Sequence, residues 1–134
     1  MAWKTCVLVV ASQTADSEEL LRTLSARSER GPTQFTLLLP SPPGATHDEA
    51  RARLSQALER LRAAGLEIDG EVGDSNPLTA IKEVWDPAKF DEILVSTLPT
   101  GTSKWLQIDL PHRAQRITGV PIEHVVATPR SAVG

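Results

Sequence analysis

The chain has 134 residues, the usual size of one domain, and 40% of them are hydrophobic, so a single buried core needs neither disulfides nor a structural metal. Fourteen basic residues against seventeen acidic ones give a formal net charge of −3. This charge argues against nucleic acid as a partner, because phosphate binding calls for a concentrated basic face.

The cysteine count and the apolar runs indicate the compartment. Cys6 is the only cysteine, so an internal disulfide and a zinc site with two or more cysteines are both excluded. The first apolar run, 6–11, is too short for a signal peptide or a membrane span, and no other run approaches the roughly eighteen residues that a span needs. We therefore predict a cytoplasmic protein with no membrane partner.

The first half of the chain alternates short apolar runs with helical patterns. Residues 5–10 form a continuous β-branched run, which is typical of a strand buried on both faces. A capping oxygen and first-turn carboxylates near Asp16 open a helix that ends before Gly31. A second buried strand covers 35–39, and a long amphipathic helix runs from about Asp48 to Ala64.

The second half continues the same alternation. Residues 66–73 alternate apolar and polar side chains, which indicates a half-exposed strand near an edge. A helix opened by Asn76-Pro77 precedes a strand over 90–96. A further helix runs from about 109 to 117, and the last strand covers 120–126.

Five strands separated by helical segments predict an α/β fold with a parallel sheet and helices on both faces. The half-exposed third strand suits an edge and the apolar first strand suits the centre, so we predict the strand order 3-2-1-4-5. The chain is long enough for one domain over 1–128, followed by a short tail over 129–134.

A ligand site is expected where the winding direction of such a sheet reverses, between strands 1 and 4 at their carboxyl ends. Residues 11–14 form one wall, and 96–104 form the other with one glycine, five hydroxyl residues and Lys104. Two interpretations stay open. The hydroxyls are either ordinary helix caps and turns, or they bind phosphate oxygens with Lys104 as the counter-charge.

The chain resembles the universal stress protein family over nearly its whole length. The matching segments are Val7–Val10, Glu18–Leu21, Thr36–Leu39, Val72–Asp74, Pro77–Ile81, Phe90–Ser96, Gly101–Leu106 and Thr118–Ile122. The resemblance implies a flavodoxin-like, adenine-nucleotide-hydrolase-like three-layer sandwich. It also implies a stress-response role, ATP or AMP as ligand, and a homodimer through the last strand, 120–127.

The sequence departs from the family's ATP-binding pattern, Gly-x-x-Gly-x(9)-Gly-Ser/Thr. Val95 and Leu98 replace the first two glycines, and Asp109 stands where the family places a hydroxyl. Branched side chains block the close approach of the backbone to phosphate. A carboxylate at Asp109 would repel a triphosphate unless Mg²⁺ lay between them. We interpret Asp109 as the N-cap of the following helix, in preference to a magnesium-facing ligand.

No catalytic or metal-binding constellation is recognisable. The three histidines, His47, His112 and His124, are not spaced as metal ligands. A Gly-x-Ser-x-Gly motif is absent, and no pair of carboxylates is placed for acid–base work. Trp105 follows the candidate loop, where core packing is favoured over covering the crevice or contacting a partner. We predict that the protein is not an enzyme and has no metal site.

The resemblance, taken with these departures, implies a non-catalytic regulatory stress-response protein without tight ATP binding, which acts as a homodimer or with protein partners. The alternative is an adenine-nucleotide (ATP or AMP) binding regulator that uses the crevice between strands 1 and 4. The candidate nucleotide-binding residues are Ala11, Ser12, Leu39, Ser96, Gly101, Thr102, Ser103, Lys104 and Asp109.

Overall fold

The structure, a computed structural model, describes residues 4–99, 101 and 103–128. Trp3, Thr102 and the predicted tail, 129–134, lie outside the described residues. The elements are β1 (Thr5–Val10), α1 (Glu18–Arg30), β2 (Thr33–Pro40), α2 (His47–Ala63), β3 (Ile68–Gly73), α3 (Pro77–Val84), β4 (Glu92–Thr97), α4 (Lys104–Gln107), α5 (Leu110–Thr118) and β5 (Ile122–Val126). No helix in the described part of the chain is both long and apolar enough to span a membrane.

The strands form one sheet in the order β3-β2-β1-β4-β5, and all neighbouring strands are parallel. Helices α1 and α2 pack on one face of the sheet, and α3 and α5 pack on the other. The predicted three-layer α/β architecture and the predicted order 3-2-1-4-5 are confirmed.

Two elements differ from the sequence prediction in their extent. The predicted loop after β4 contains α4, a single turn that Ser103 caps by accepting a hydrogen bond from the Leu106 amide at 3.3 Å. The sequence did not indicate α4 because a single helical turn is too short to show the periodic spacing of hydrophobic residues. Strand β5 begins at Ile122 instead of Val120, since Pro121 has no N–H to donate to a sheet.

Strand β1 lies at the centre of both hydrophobic cores. Val7 and Val9 contact the α1 and α2 side chains, while Leu8 and Val10 contact those of α3 and α5. All four residues are 0% exposed. Each such side chain stabilises the fold by about 1.5–3 kcal/mol relative to its exposed state.

An ion cluster connects α1 to the strands β4 and β5. Arg27 donates to Glu92 at the start of β4 and, through Nε at 2.7 Å, to Glu123 of β5. Burial by itself would lower the pKa of Arg27, but the hydrogen bonds to Glu92 and Glu123 outweigh it and raise that pKa. The single guanidinium partly offsets the two carboxylates that lie at the amino ends of the two strands.

The edge strand β3 depends on two glycines for close contact with the helices. A Cβ atom at Gly73 would lie 2.8 Å from the Ala80 Cβ of α3 and 2.8 Å from a Leu38 methyl carbon. A Cβ at Gly70 would lie 2.8 Å from a methyl carbon of Leu54 on α2. Helix α3 therefore approaches β3 at Gly73 more closely than a side chain there would permit, while a side chain at Gly70 would require the Leu54 side chain of α2 to move.

We expect Gly73→Ala to lower the free energy of unfolding by about 1–3 kcal/mol, the usual cost of overpacking a core. Urea denaturation measures this change. Gly31→Ala is the matched control, because its Cβ would meet nothing within 4 Å and its φ of 166° suits any residue. Equal stabilities of the two variants would contradict the packing argument.

Candidate functional site

A cavity of about 310 Å³ opens at the carboxyl edge of the sheet, where the strand order reverses between β1 and β4. This volume lies at the small end of the range for small-molecule sites, about 300–1,000 Å³. Segments after β1, β2, β3 and β4 surround it together with α4. The lining residues are Ser12, Gln13, Thr14, Pro40, Ser41, Pro42, Pro43, Ser75, Pro77, Ser96, Thr97, Leu98, Ser103, Lys104, Trp105 and Ile108.

A buried pair of hydroxyls joins the two strands at the switch point. Thr14 Oγ1 lies 2.7 Å from Ser96 Oγ, and either oxygen can be the donor. The two residues are each 1% exposed. Because a buried hydroxyl without a partner is costly, this bond fixes the loop after β1 against the end of β4.

Another hydroxyl is held by the edge strand β5. Thr97 Oγ1 lies 2.7 Å from His124 Nε2, and the Ala127 amide donates to the Thr97 carbonyl at 2.8 Å. Partial burial lowers the pKa of His124 below its ordinary value of about 6.5. The imidazole at this position is therefore held in its neutral form more strongly than in water.

The electrostatics of the cavity favour an anion. Among the lining residues that the structure describes, Lys104 is the only charged one, and none is acidic. Lys104 is exposed and forms no ion pair within the described chain. Seven lining residues carry hydroxyl groups, namely Ser12, Thr14, Ser41, Ser75, Ser96, Thr97 and Ser103. Thr14, Ser96, Thr97 and Ser103 are at most 3% exposed and are hydrogen-bonded within the protein, which leaves Ser12, Ser41 and Ser75 as the more accessible hydroxyls. These hydroxyls and one ammonium suit a small ligand with few negative charges.

The structure brings four of the predicted site residues together at this cavity: Ser12, Ser96, Ser103 and Lys104. Ala11 and Leu39 do not line it, because both are 0% exposed within a hydrophobic core. Gly101 is exposed and has a φ of +97°, a conformation that glycine adopts readily.

Asp109 occupies the N-cap position of α5, as the sequence indicated, but its side chain does not cap the helix. Its backbone is left-handed (φ 54°, ψ 48°), whereas a capping side chain needs an extended backbone to reach the first amides. The carboxylate instead lies 3.1 Å from His112 Nδ1 and is 63% exposed. Asp109 does not line the cavity; its neighbour Ile108 does.

Sequence reasoning missed the walls that β2 and β3 supply. Ser41, Pro42 and Pro43 follow β2, while Ser75 and Pro77 follow β3. They lie beyond the carboxyl ends of parallel strands, so the rule that located the crevice between β1 and β4 also applies to them. Trp105 is half-buried; it packs against the core of α3 and α5 and also lines the cavity.

The comparisons with known proteins establish the fold. No protein-family model matches the chain, and no curated protein matches its sequence. A solved universal stress protein in complex with cAMP is 21% identical, has a TM-score of 0.63, and matches 96% of this chain and 100% of its own. A universal stress protein from Archaeoglobus fulgidus is 16% identical, with a TM-score of 0.65 and coverage of 90% and 93%.

A structure of the Archaeoglobus fulgidus universal stress protein in complex with dAMP is also similar. It is 16% identical, has a TM-score of 0.62, and matches 93% of this chain and 99% of its own. The chain therefore has the fold of the universal stress proteins over nearly all of its length. Within the described residues, no group of three or more His, Cys, Asp or Glu side chains is arranged to hold a metal ion.

The lowered pKa of His124 predicts a pH-dependent stability. As the pH falls below about 6.5, the unfolded chain takes up a proton that the folded imidazole resists, so the stability of the wild type falls until the folded pKa is passed. We expect the wild type to lose stability relative to His124→Gln between about pH 8 and about pH 5.5, measured by urea midpoints. The exposed His47→Gln variant controls for the change of residue type. If the stability difference between the wild type and His124→Gln were the same at about pH 8 and about pH 5.5, the lowered pKa of His124 would be contradicted.

Proposed function

We propose that the protein is a non-catalytic regulator that binds an adenine nucleotide with one phosphate group in the cavity between β1 and β4. The observation that carries this proposal is the composition of the cavity lining. Hydroxyl groups surround the space, no described lining residue is acidic, and the only charged one is Lys104. This combination suits an anion of low charge.

The number of positive charges favours a monophosphate over ATP. A single phosphate ester carries about two negative charges at neutral pH, and ATP carries more. One ammonium offsets a monophosphate far better than a triphosphate. The side chain of Leu98 also lines the cavity, where a glycine would let the backbone approach a longer phosphate chain. Two solved universal stress proteins of this fold hold cAMP and dAMP, each with one phosphate group.

Apolar surfaces in the same cavity support the adenine part of the proposal. Trp105 and the prolines Pro40, Pro42, Pro43 and Pro77 line it. Flat apolar groups of this kind give a base surfaces on which to stack. The cavity thus combines a polar, cationic region with an apolar region, which matches a ligand that has a base at one end and a phosphate at the other.

We further infer that binding proceeds without chemical turnover. General acid–base catalysis needs a group such as a carboxylate, histidine or cysteine in reach of the substrate. None of the described lining residues is of these types; the lining does include a lysine, Lys104, but no hydrogen bond joins its ammonium to a described lining hydroxyl. The buried hydroxyls of Thr14 and Ser96 are hydrogen-bonded to each other. The Thr97 hydroxyl is bonded to an imidazole, that of His124, but Thr97 is only 2% exposed, so its oxygen is shielded from a substrate.

Calorimetry with AMP and ATP, each with and without Mg²⁺, tests the proposal. We expect AMP to bind more tightly than ATP and without a requirement for Mg²⁺. Lys104→Ala should weaken AMP binding about tenfold, because a charge-assisted hydrogen bond is lost. Lys82→Ala is the matched control: Lys82 is exposed on α3 and does not line the cavity. Gly101→Val, which forces a branched residue into a left-handed conformation, should also weaken binding.

The outcomes separate the two parts of the proposal. No heat with either nucleotide at about 100 µM protein would limit affinities to the millimolar range or weaker and would overturn nucleotide binding. AMP binding that is unchanged in Lys104→Ala would show that the ligand lies elsewhere. If neither nucleotide bound, an interaction with protein partners would be the function to test next.

An edge strand supports a homodimer as part of the same function. β5 lies at one edge of the sheet, and Val126 on it is 48% exposed. The other edge strand, β3, presents the exposed charges of Asp69 and Glu71. Charges on an edge discourage strand pairing, whereas apolar side chains permit it. We therefore place the dimer contact on 120–127. The cytoplasmic location stays a prediction.

We expect the wild type to sediment as a dimer and Val126→Lys to sediment as a monomer, because a lysine on an edge strand opposes pairing. Analytical ultracentrifugation measures both. Asp69→Lys, which replaces an exposed charged residue on β3, is the control and should leave the dimer intact. A monomeric wild type would contradict the assignment, as would dissociation of the control alone.

A further inference from the structure

Helix α2 makes a direct contact with the backbone of the cavity wall. Arg53 donates hydrogen bonds from Nε at 3.3 Å and from Nη2 at 3.1 Å to the main-chain carbonyl of Ser12. Ser12 lines the cavity, and Arg53 is half-buried beside it. No carboxylate within the described chain forms an ion pair with Arg53, so its charge is not neutralised.

The Ser12 carbonyl lies beyond the sheet, in a turn where it also accepts a hydrogen bond from the Ala15 amide at 3.1 Å. The Ala11 amide, which donates to the Leu38 carbonyl at 3.2 Å, ends the regular pairing of β1 with β2. The Ser12 hydroxyl reaches the Pro40 carbonyl only at 3.4 Å. The Ala15 bond closes the turn on itself, whereas the two bonds from the guanidinium connect the same carbonyl to α2.

We infer that Arg53 is a positioning residue for the nucleotide: it holds the Ser12 carbonyl so that this wall of the cavity keeps the shape that accepts a phosphate. The inference rests on the proposed function. Arg53 acts through Ser12, since Arg53 does not itself line the cavity. Its planar fork places two donors on one oxygen, which the single ammonium of lysine does not reproduce.

A second arginine on α2 supplies a matched control. Arg60 lies two helical turns further along and donates from Nη1 to the Asp16 carbonyl at 3.3 Å, in the same connection between β1 and α1. Arg60 also pairs with Glu18 at 2.6 Å, and Asp16 does not line the cavity. Both arginines thus fasten the same connection, but only Arg53 contacts a residue of the cavity wall.

The experiment measures AMP affinity by calorimetry and stability by urea denaturation for the wild type, Arg53→Gln, Arg53→Lys and Arg60→Gln. We expect both Arg53 variants to bind AMP about fivefold to tenfold more weakly, the effect of losing one ordinary polar interaction. Arg60→Gln should bind AMP as the wild type does, although it loses stability. Arg53→Lys keeps the positive charge but loses the two-donor contact with the Ser12 carbonyl. It therefore distinguishes the placement of the cavity wall from a simple attraction between a positive charge and the phosphate.

Four results would overturn the inference. Wild-type affinity in Arg53→Gln would show that the contact is not used, and wild-type affinity in Arg53→Lys would show that charge alone matters. An equal loss of affinity in Arg60→Gln would show a general effect of destabilising the connection. A wild type that binds no AMP would remove the proposed function together with this inference, whereas the first three results leave AMP binding itself in place.

Discussion

The burial of β1 on both faces is the constraint on which the rest of the molecule depends. Alternate residues of this strand enter two separate cores, so helices must cover both sides of the sheet. A strand in this position needs a neighbour on each side, and the chain supplies β2 and β4. The chain winds in opposite directions from β1, which leaves a crevice at the carboxyl ends of β1 and β4.

Among the described residues, positively charged side chains are paired with carboxylates at the amino ends of the strands, and two at the carboxyl ends are unpaired. At the amino ends of β4 and β5, the half-buried guanidinium of Arg27 is paired with Glu92 and Glu123. At the carboxyl ends, Lys104 and Arg53 have no acidic partner within the described chain. Paired charge at the amino ends contributes to stability. At the carboxyl ends, Lys104 lines the cavity and is available to an anion, while Arg53 holds the wall from outside it.

Hydrogen bonds inside the cavity wall give it a defined shape before any ligand arrives. Thr14 and Ser96 hold each other, and His124 holds Thr97 from the edge strand. Such contacts fix the backbone around the space and reduce the ordering that binding would otherwise require. The same contacts connect the site to elements far from it, since β5 and α2 each reach the wall through one side chain.

The sequence by itself determined the strands, most of the helices and the sheet order, because burial on one or two faces leaves a period of two or a continuous apolar run in the residues themselves. It also located the crevice and Lys104, since the carboxyl ends of strands follow from the order. Only the tertiary structure decided which side chains line the cavity. Arg53 reaches Ser12 across 41 positions of sequence, and the left-handed backbone of Asp109 turns its carboxylate toward His112. The Arg53 contact depends on how α2 packs on the sheet, and local patterns in the sequence carry no record of that packing. The Asp109 contact is local, but it follows from a backbone conformation that the residue type does not predict.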